Sequence, residues 1–408
     1  FINVQPDLFD RDKKYEDAAA VFFDIEGDGD LDLYVVSGSD ENKQEGFSLT
    51  DRIYINDGNG YFKRDNSLIP ELEYSGSVAK AADFDNDGDL DLFLGGRMIP
   101  GKYPESPDSY ILINKDGKLK DETASIAPEL KALGMVTDAT WSDYDLDGDP
   151  DLIIVGEWMP VTIFKNDGGI LKKIENSENG LEFSSGWWWR IESVDFDSDG
   201  DPDYVLGNLG HNYKLNPSED EPLEVYINDF NENGKNDFVM GYYQEGKIFP
   251  TVDRNRTLLL NRYLKNTIPS NDLYALMGLE DIYGQEKLRF SKKMKVHTHS
   301  SGILENKGNG AFEFKAFDQL AQISVTNSIV VNDFNQDGFS DLVLGGNFHL
   351  IEAETIRLDA GFGLLMLNDK KGNFKSIPYH KSGLFLDGDV RDLKMLKTAG
   401  DPIICLLY

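Results

Sequence analysis

The sequence predicts an all-β fold, a seven-bladed β-propeller with an acidic loop between the first and second strands of most blades and one small helical insertion. Three observations predict it. An aspartate-rich nonapeptide recurs six times, short apolar runs follow each copy, and a Gly-rich turn recurs downstream of most of them. Four-stranded units whose acidic loops begin at 24, 83, 143 and 195 repeat at the spacing of propeller blades.

The nonapeptide reads D-x-[DEN]-x-[DN]-G-x-x-D. The first copy carries Asp24, Glu26, Asp28, Asp30 and Asp32. The second carries Asp83, Asp85, Asp87, Asp89 and Asp91, and the third Asp143, Asp145, Asp147, Asp149 and Asp151. The fourth carries Asp195, Asp197, Asp199, Asp201 and Asp203. The fifth is Asp229, Asn231, Asn233, Lys235 and Asp237, and the sixth Asp333, Asn335, Asp337, Phe339 and Asp341. Positions 1, 3, 5 and 9 hold four carboxylates in each of the first four copies, two in the fifth and three in the sixth.

This spacing suits Ca²⁺, which takes six to eight oxygens at about 2.3–2.6 Å. Side chains at positions 1, 3 and 5 of a tight loop converge. Gly at position 6 permits the sharp turn, the position 7 carbonyl adds an oxygen, and the acid at position 9 closes the cage. Carboxylates held so close without a cation repel one another or bind protons. About six Ca²⁺ sites are expected, those at Asp229 and Asp333 weaker for want of charge.

The loops are not EF-hands, which need a bidentate Glu at position 12 and flanking helices. Position 12 here is Val35, Leu94, Ile154, Leu206, Met240 and Leu344. These residues sit in short runs such as Leu31-Asp-Leu-Tyr-Val-Val36, which read as strands. The second repeat begins at Asn56, Asn114, Asn166, Asn306 and Asn368, each followed by a Gly-containing turn and an apolar residue. These read as hairpins between third and fourth strands. No such hairpin lies between the fourth and fifth loops, so blade four reads as short or irregular. The seventh unit keeps two strands, and Phe1-Ile-Asn-Val4 is the candidate to close the last blade.

Residues 253–298 break the repeat within blade five. Leu260 and Leu264, and Leu273 and Met277, have helical spacing. The segment holds nine Lys/Arg against five acids in a chain of net charge −33, so it reads as a basic helical cap docked on an acidic body or presented to a partner. The whole of 1–408 otherwise reads as one propeller.

These features resemble the FG-GAP/VCBS calcium-loop propellers. Within that group the chain looks most like Bacteroidetes surface proteins whose relatives carry ASPIC/UnbV modules, akin to cartilage acidic protein. Besides the loops, the resemblance is carried by Phe22-Phe-Asp24, Gly95-Gly-Arg-Met-Ile-Pro-Gly101, Gly134-Met-Val-Thr-Asp138, Gly156-Glu-Trp-Met-Pro160, Gly186-Trp-Trp188, Gly207-Asn-Leu-Gly210 and Ala321-Gln322. It implies a secreted or outer-membrane-surface Ca²⁺ protein, often a binding or adhesion module.

In a propeller, the ends of the second strands opposite the metal loops ring the channel mouth. Gly marks there place Ser39, Arg97, Glu157, Trp158, Asn208, His211, Tyr242, Asn347 and His349 as candidate ligand-binding residues for an extracellular glycan or protein. The main reading is a non-catalytic module with no catalytic residue assigned. The rival is a polysaccharide lyase or hydrolase using Arg97, Glu157, His211 or His349, and a third is a purely architectural role. Trp187, Trp188 and Trp189 read as core rather than as a sugar platform.

Composition narrows the classes further. The acidic balance disfavours nucleic acid and anionic membrane surfaces. No apolar run reaches the roughly 18 residues of a spanning helix. The lone Cys405 makes neither an intrachain disulfide nor a zinc cluster. The chain starts at Phe1 and reads as part of a longer polypeptide.

Overall fold

The computed structural model describes residues 5–39, 49–349, 357–396 and 402–407. The strands form seven antiparallel sheets, with a few short helices between them. The first sheet holds Asp17–Phe23, Asp32–Ser37, Arg52–Asn56 and Phe62–Arg64. The second holds Ser75–Ala82, Asp91–Met98, Tyr110–Asn114 and Leu119–Asp121. The third holds Met135–Ser142, Asp151–Met159, Thr162–Asn166 and Leu171–Lys173, with Gly186–Trp187 added to its second strand.

The fourth sheet departs from the expected order. Its strands are Arg190–Val194, Asp203–Gly207, Gly302–Asn306 and Phe312–Ala316. The Asn306 hairpin therefore completes this sheet, which has four strands rather than the short unit expected. Between its second and third strands the chain builds a separate sheet from Leu223–Asn228, Asp237–Gln244, Lys247–Pro250 and Lys292–Val296. Spacing alone misplaces this unit as a fifth blade because its acidic loop copies the repeat. A further four-stranded sheet follows, with Thr326–Asn332, Asp341–Gly346, Leu364–Asn368 and Phe374–Ile377. The last sheet has only Asp392–Leu396 and Ile403–Leu407. The closing segment expected at Phe1–Val4 lies outside the described residues.

The first strands of the six sheets other than the inserted one pack in series, each against the next. Both faces of most sheets are covered, which is why Leu152, Ile153, Ile154 and Val155 are all fully buried and the strand reads as an unbroken apolar run. Phe84, Phe93, Val136 and Phe164 fill the space between the second and third sheets. Tyr144, Ile163, Trp188 and Tyr204 fill that between the third and fourth.

Two polar devices join neighbouring sheets. First strands bulge at Ala18, Ser77, Thr137 and Asn327, where the register slips by one residue. Three of these residues bond to the next sheet or to the segment leading into it. Ser77 Oγ donates to the Val136 carbonyl (2.7 Å), Thr137 Oγ1 to that of Trp188 (2.8 Å), and Asn327 Nδ2 to that of Val390 (3.2 Å). At the opposite ends, every hairpin asparagine after Asn56 clasps the acidic loop of the preceding sheet. Nδ2 of Asn114, Asn166, Asn306 and Asn368 donates to the carbonyls of Ile25, Phe84, Tyr144 and Phe196, at 2.6–2.8 Å. This sequence of clasps passes over the inserted sheet.

Residues 253–298 are helical at Arg254–Leu260, Asn271–Tyr274, Leu279–Tyr283 and Gln285–Arg289, then turn into the strand Lys292–Val296. Leu264, Ile268, Ile282, Tyr283 and Leu288 pack on Tyr226, Phe230 and Val239 of the inserted sheet. Leu260 and Leu273, expected on the buried face, are exposed instead. Lys287 Nζ donates to the Phe230 carbonyl (2.9 Å) and Glu232 (2.8 Å), so the basic segment docks on the acidic loop of its own unit. No helix among the described residues is long and apolar enough to cross a membrane.

Candidate metal-binding loops and the opposite rim

All six nonapeptides adopt one loop. Position 6 is glycine at φ between 83° and 99° in every copy. Position 4 is also left-handed in every copy, at Gly27, Asn86, Leu146, Ser198, Glu232 and Gln336. The sequence signals only the glycine, because αL is open to other residues at modest cost. The turn is fixed by its acids. Asp143 accepts the Asp147 and Gly148 N–H groups, both at 3.0 Å. Asp229 does the same for Asn233 and Gly234, and Asp333 for Asp337 and Gly338.

The position 9 acids are buried in the sheets, apart from half-buried Asp237. Asp151 Oδ1 accepts Asn166 N–H (2.7 Å) and Oδ2 accepts Tyr144 N–H (3.1 Å). Asp32, Asp203 and Asp341 repeat the pattern. Each such aspartate thus ties the loop to the hairpin of its own sheet.

The remaining oxygens crowd together. Asp83, Asp85 and Asp87, then Asp143, Asp145 and Asp151, then Asp195, Asp197 and Asp199 each bring ligand atoms within 4.8 Å of one another. Asp30 Oδ1, Asp83 Oδ1, Asp91 Oδ2, Asp145 Oδ1 and Asp201 Oδ1 are buried and have no hydrogen-bond partner. Burial first, then neighbouring acids, push Asp91, Asp151 and Asp203 up to about 7, against the opposing backbone N–H bonds. Burial and Asp199 push Asp201 up to about 6. An all-oxygen set with buried, unshared lone pairs fits a hard divalent cation, whose charge would relieve the mutual repulsion and desolvation that raise these carboxyls.

The fifth loop is different. Asn231 Nδ2 donates to Asp237 Oδ1 (3.2 Å), so an amide supplies a donor where the other loops supply charge. In the sixth, Lys370 Nζ lies 3.2 Å from Asp337 Oδ2.

The rim residues do not form one ring. Ser39 and Arg97 line a cavity of about 280 Å³ with Ser75, Ser77, Thr137 and Trp189. Arg97 also ion-pairs with Glu157 and faces the Trp189 ring at 5.6 Å. Tyr103, which carries no repeat signal, donates to Glu157 and accepts from Trp158 Nε1 (2.7 Å). Trp158 is buried and stacks edge-on against Trp187, and Tyr242 joins the same apolar cluster from the inserted sheet.

Asn208 and Asn347 depart from the expected rim. Both are fully buried, and their side chains are spent on structure. Asn208 Nδ2 donates to the Thr298 carbonyl, while Asn347 bonds Ser324, Gly361 and Gly388. His211 Nε2 meets Ser300 Oγ at 2.7 Å beside a different cavity. The backbone N–H of His349 donates to Asp389. Trp188 is core, as expected, and donates to the Ser184 carbonyl (2.9 Å). Trp189, in contrast, lines the Arg97 cavity.

Beneath the rim the first strands carry a charge chain that spacing does not signal. Lys80 meets Asp138 at 3.0 Å, and Arg190 bridges Asp138, Glu192 and Asp392. With both neighbouring cations close, buried Asp138 stays below the ordinary carboxylate range despite desolvation.

The family model of the FG-GAP-like repeat matches residues 24–94 and 143–206, the segments that span the first to second and the third to fourth acidic loops. No curated protein matches the chain. Among solved structures, the V. cholerae biofilm matrix protein Bap1 is 12% identical. The match covers 89% of this chain and 77% of that one, at a TM-score of 0.29, too loose a superposition to carry an argument.

Proposed function

We propose that the chain is a Ca²⁺-stabilised β-propeller that acts outside the cell or at the outer-membrane surface as a non-catalytic binding or adhesion module. The observation that carries this reading is one loop geometry repeated six times, with carboxylate oxygens crowded together in the second, third and fourth copies and buried without a partner in the first four. The ligands of each cation are the acids and amides at positions 1, 3, 5 and 9 with the position 7 residue, from Asp24 to Asp341. A bound dication would offset two of the carboxylate charges of a cage whose position 9 acid already ties the loop to its hairpin. The serially packed first strands support a closed wheel, in which six sheets form the ring and the inserted sheet stands outside it. Kinship with the ASPIC/UnbV-associated Bacteroidetes proteins belongs to this reading and rests on the segments quoted above.

The ligand, a glycan or an extracellular protein, is assigned to the cavity of Ser39, Arg97 and Trp189 and the adjoining Glu157. Trp189 offers an apolar face and Arg97 a charged edge. The enzymatic alternative needs a free acid or base there, whereas Glu157 is engaged by Arg97 and Tyr103.

Two measurements test the reading. Equilibrium dialysis with radioactive calcium should show several bound cations per chain. A glycan and protein binding screen, run with Ca²⁺ and with chelator, should return saturable binding that Trp189→Ala weakens. Glycan turnover abolished by Glu157→Ala would replace the module with an enzyme.

A further inference from the structure

The residue just before each hairpin asparagine lies beside the acidic loop of its own sheet. In the first, second and Thr326–Ile377 sheets it is Ile55, Ile113 and Leu367. In the fourth it is Glu305, whose carboxylate is held by Lys307 and Lys315. In the third it is Lys165. Its ammonium ion-pairs with Asp145 and lies 3.0 Å from Asp147 Oδ2, on positions 3 and 5 of the third loop. Among the described residues, no ion pair reaches Asp85, Asp87, Asp197 or Asp199 in the second and fourth loops. The third loop nevertheless keeps Asp145 Oδ1 buried and without a partner, so the lysine satisfies only part of the cage.

By count of carboxylates the second, third and fourth loops are equal. We infer that Lys165 is a tethered counter-ion competing with the divalent cation for Asp145 and Asp147, so that the third loop fills after the second and fourth. An ammonium and a dication on the same two oxygens repel at contact distance, so binding requires the lysine to swing away. Its four-carbon stem permits that movement. The same lysine steadies the third loop when the cation is scarce. The inference rests on the calcium reading above and adds an order of filling to it.

The test is a Ca²⁺ titration against a chromophoric chelator, using the whole chain, its Lys165→Met variant and the milder Lys165→Gln. Both variants should move one cation equivalent to about tenfold tighter binding. Both should also melt at lower temperature than the wild type in chelator, because the bare carboxylates lose their partner. A lower melt with an unchanged calcium isotherm would make Lys165 merely structural and overturn the inference, as would weaker binding in the variants. If Met at this position prevents folding, Gln keeps the comparison. Absence of calcium uptake by the wild-type chain would instead overturn the calcium reading itself.

Discussion

The clasp between neighbouring sheets gives the sharpest stability prediction. Asn166 is fully buried. Its Nδ2 donates to Phe84 O (2.6 Å) in the preceding sheet's loop and to Pro150 O (3.0 Å), and its Oδ1 accepts Gly169 N–H (2.8 Å). Asn166→Ala deletes three hydrogen bonds and leaves the Phe84 carbonyl buried without its donor. At about 1 kcal/mol per bond, with a further penalty for the orphaned carbonyl, the expected loss is roughly 3–4 kcal/mol. Asn56 is the control. Its Nδ2 reaches Leu31 O (3.1 Å) and its Oδ1 accepts Gly60 N–H (3.2 Å), both within its own sheet's loops and both exposed, where water replaces the lost partner, so Asn56→Ala should cost about 1 kcal/mol or less. Urea unfolding followed by tryptophan fluorescence, in saturating Ca²⁺, measures both. Equal costs for the two substitutions would refute the inter-sheet clasp.

Three further perturbations follow from the same geometry. Thr137→Val keeps the shape but removes the hydroxyl bonded to Trp188 O, and should cost about 1–2 kcal/mol in the same unfolding assay. Gly148 sits at φ +99° with open space where a side chain would point, so Gly148→Ala should cost about 1–3 kcal/mol through backbone strain alone, with no steric clash. Asp51 is buried beneath the Tyr34 and Tyr74 hydroxyls, and burial raises it to about 6. Because the folded form holds its proton more tightly than the unfolded chain, Asp51 favours folding below about pH 4, and that contribution fades as pH rises through 6. Wild type should therefore lose roughly 2–2.5 kcal/mol relative to Asp51→Asn between pH 4 and 7, and a difference that stays flat with pH would contradict the burial effect.

Much of this was legible in the chain. The six acidic loops, the strands after them and the hairpins are all written in short-range spacing, because each needs glycine or acid at a fixed offset. The inserted sheet was not. Asp229 to Asp237 copies the loop motif, and nothing local in the sequence states that Gly302–Asn306 pairs with Asp203–Gly207. That pairing spans nearly a hundred residues and is settled by which apolar faces meet. The rim was misread for a related reason. Asn208 and Asn347 follow the Gly marks as Arg97 does, yet a short uncharged amide both donates to and accepts from backbone groups, whereas a guanidinium only donates and carries a charge into the interior. Tyr103 and the Lys80–Asp138–Arg190–Asp392 chain have no motif and emerge only when separate sheets are brought together.

The central claim is that clustered acids are cages for divalent cations that hold the sheets together. Thermal unfolding of the whole chain in millimolar Ca²⁺ and in chelator tests it most directly. The account predicts a melting temperature lower by many degrees in chelator, restored by added Ca²⁺, since a ligand bound only by the folded state stabilises it. Superimposable melts under the two conditions would contradict it.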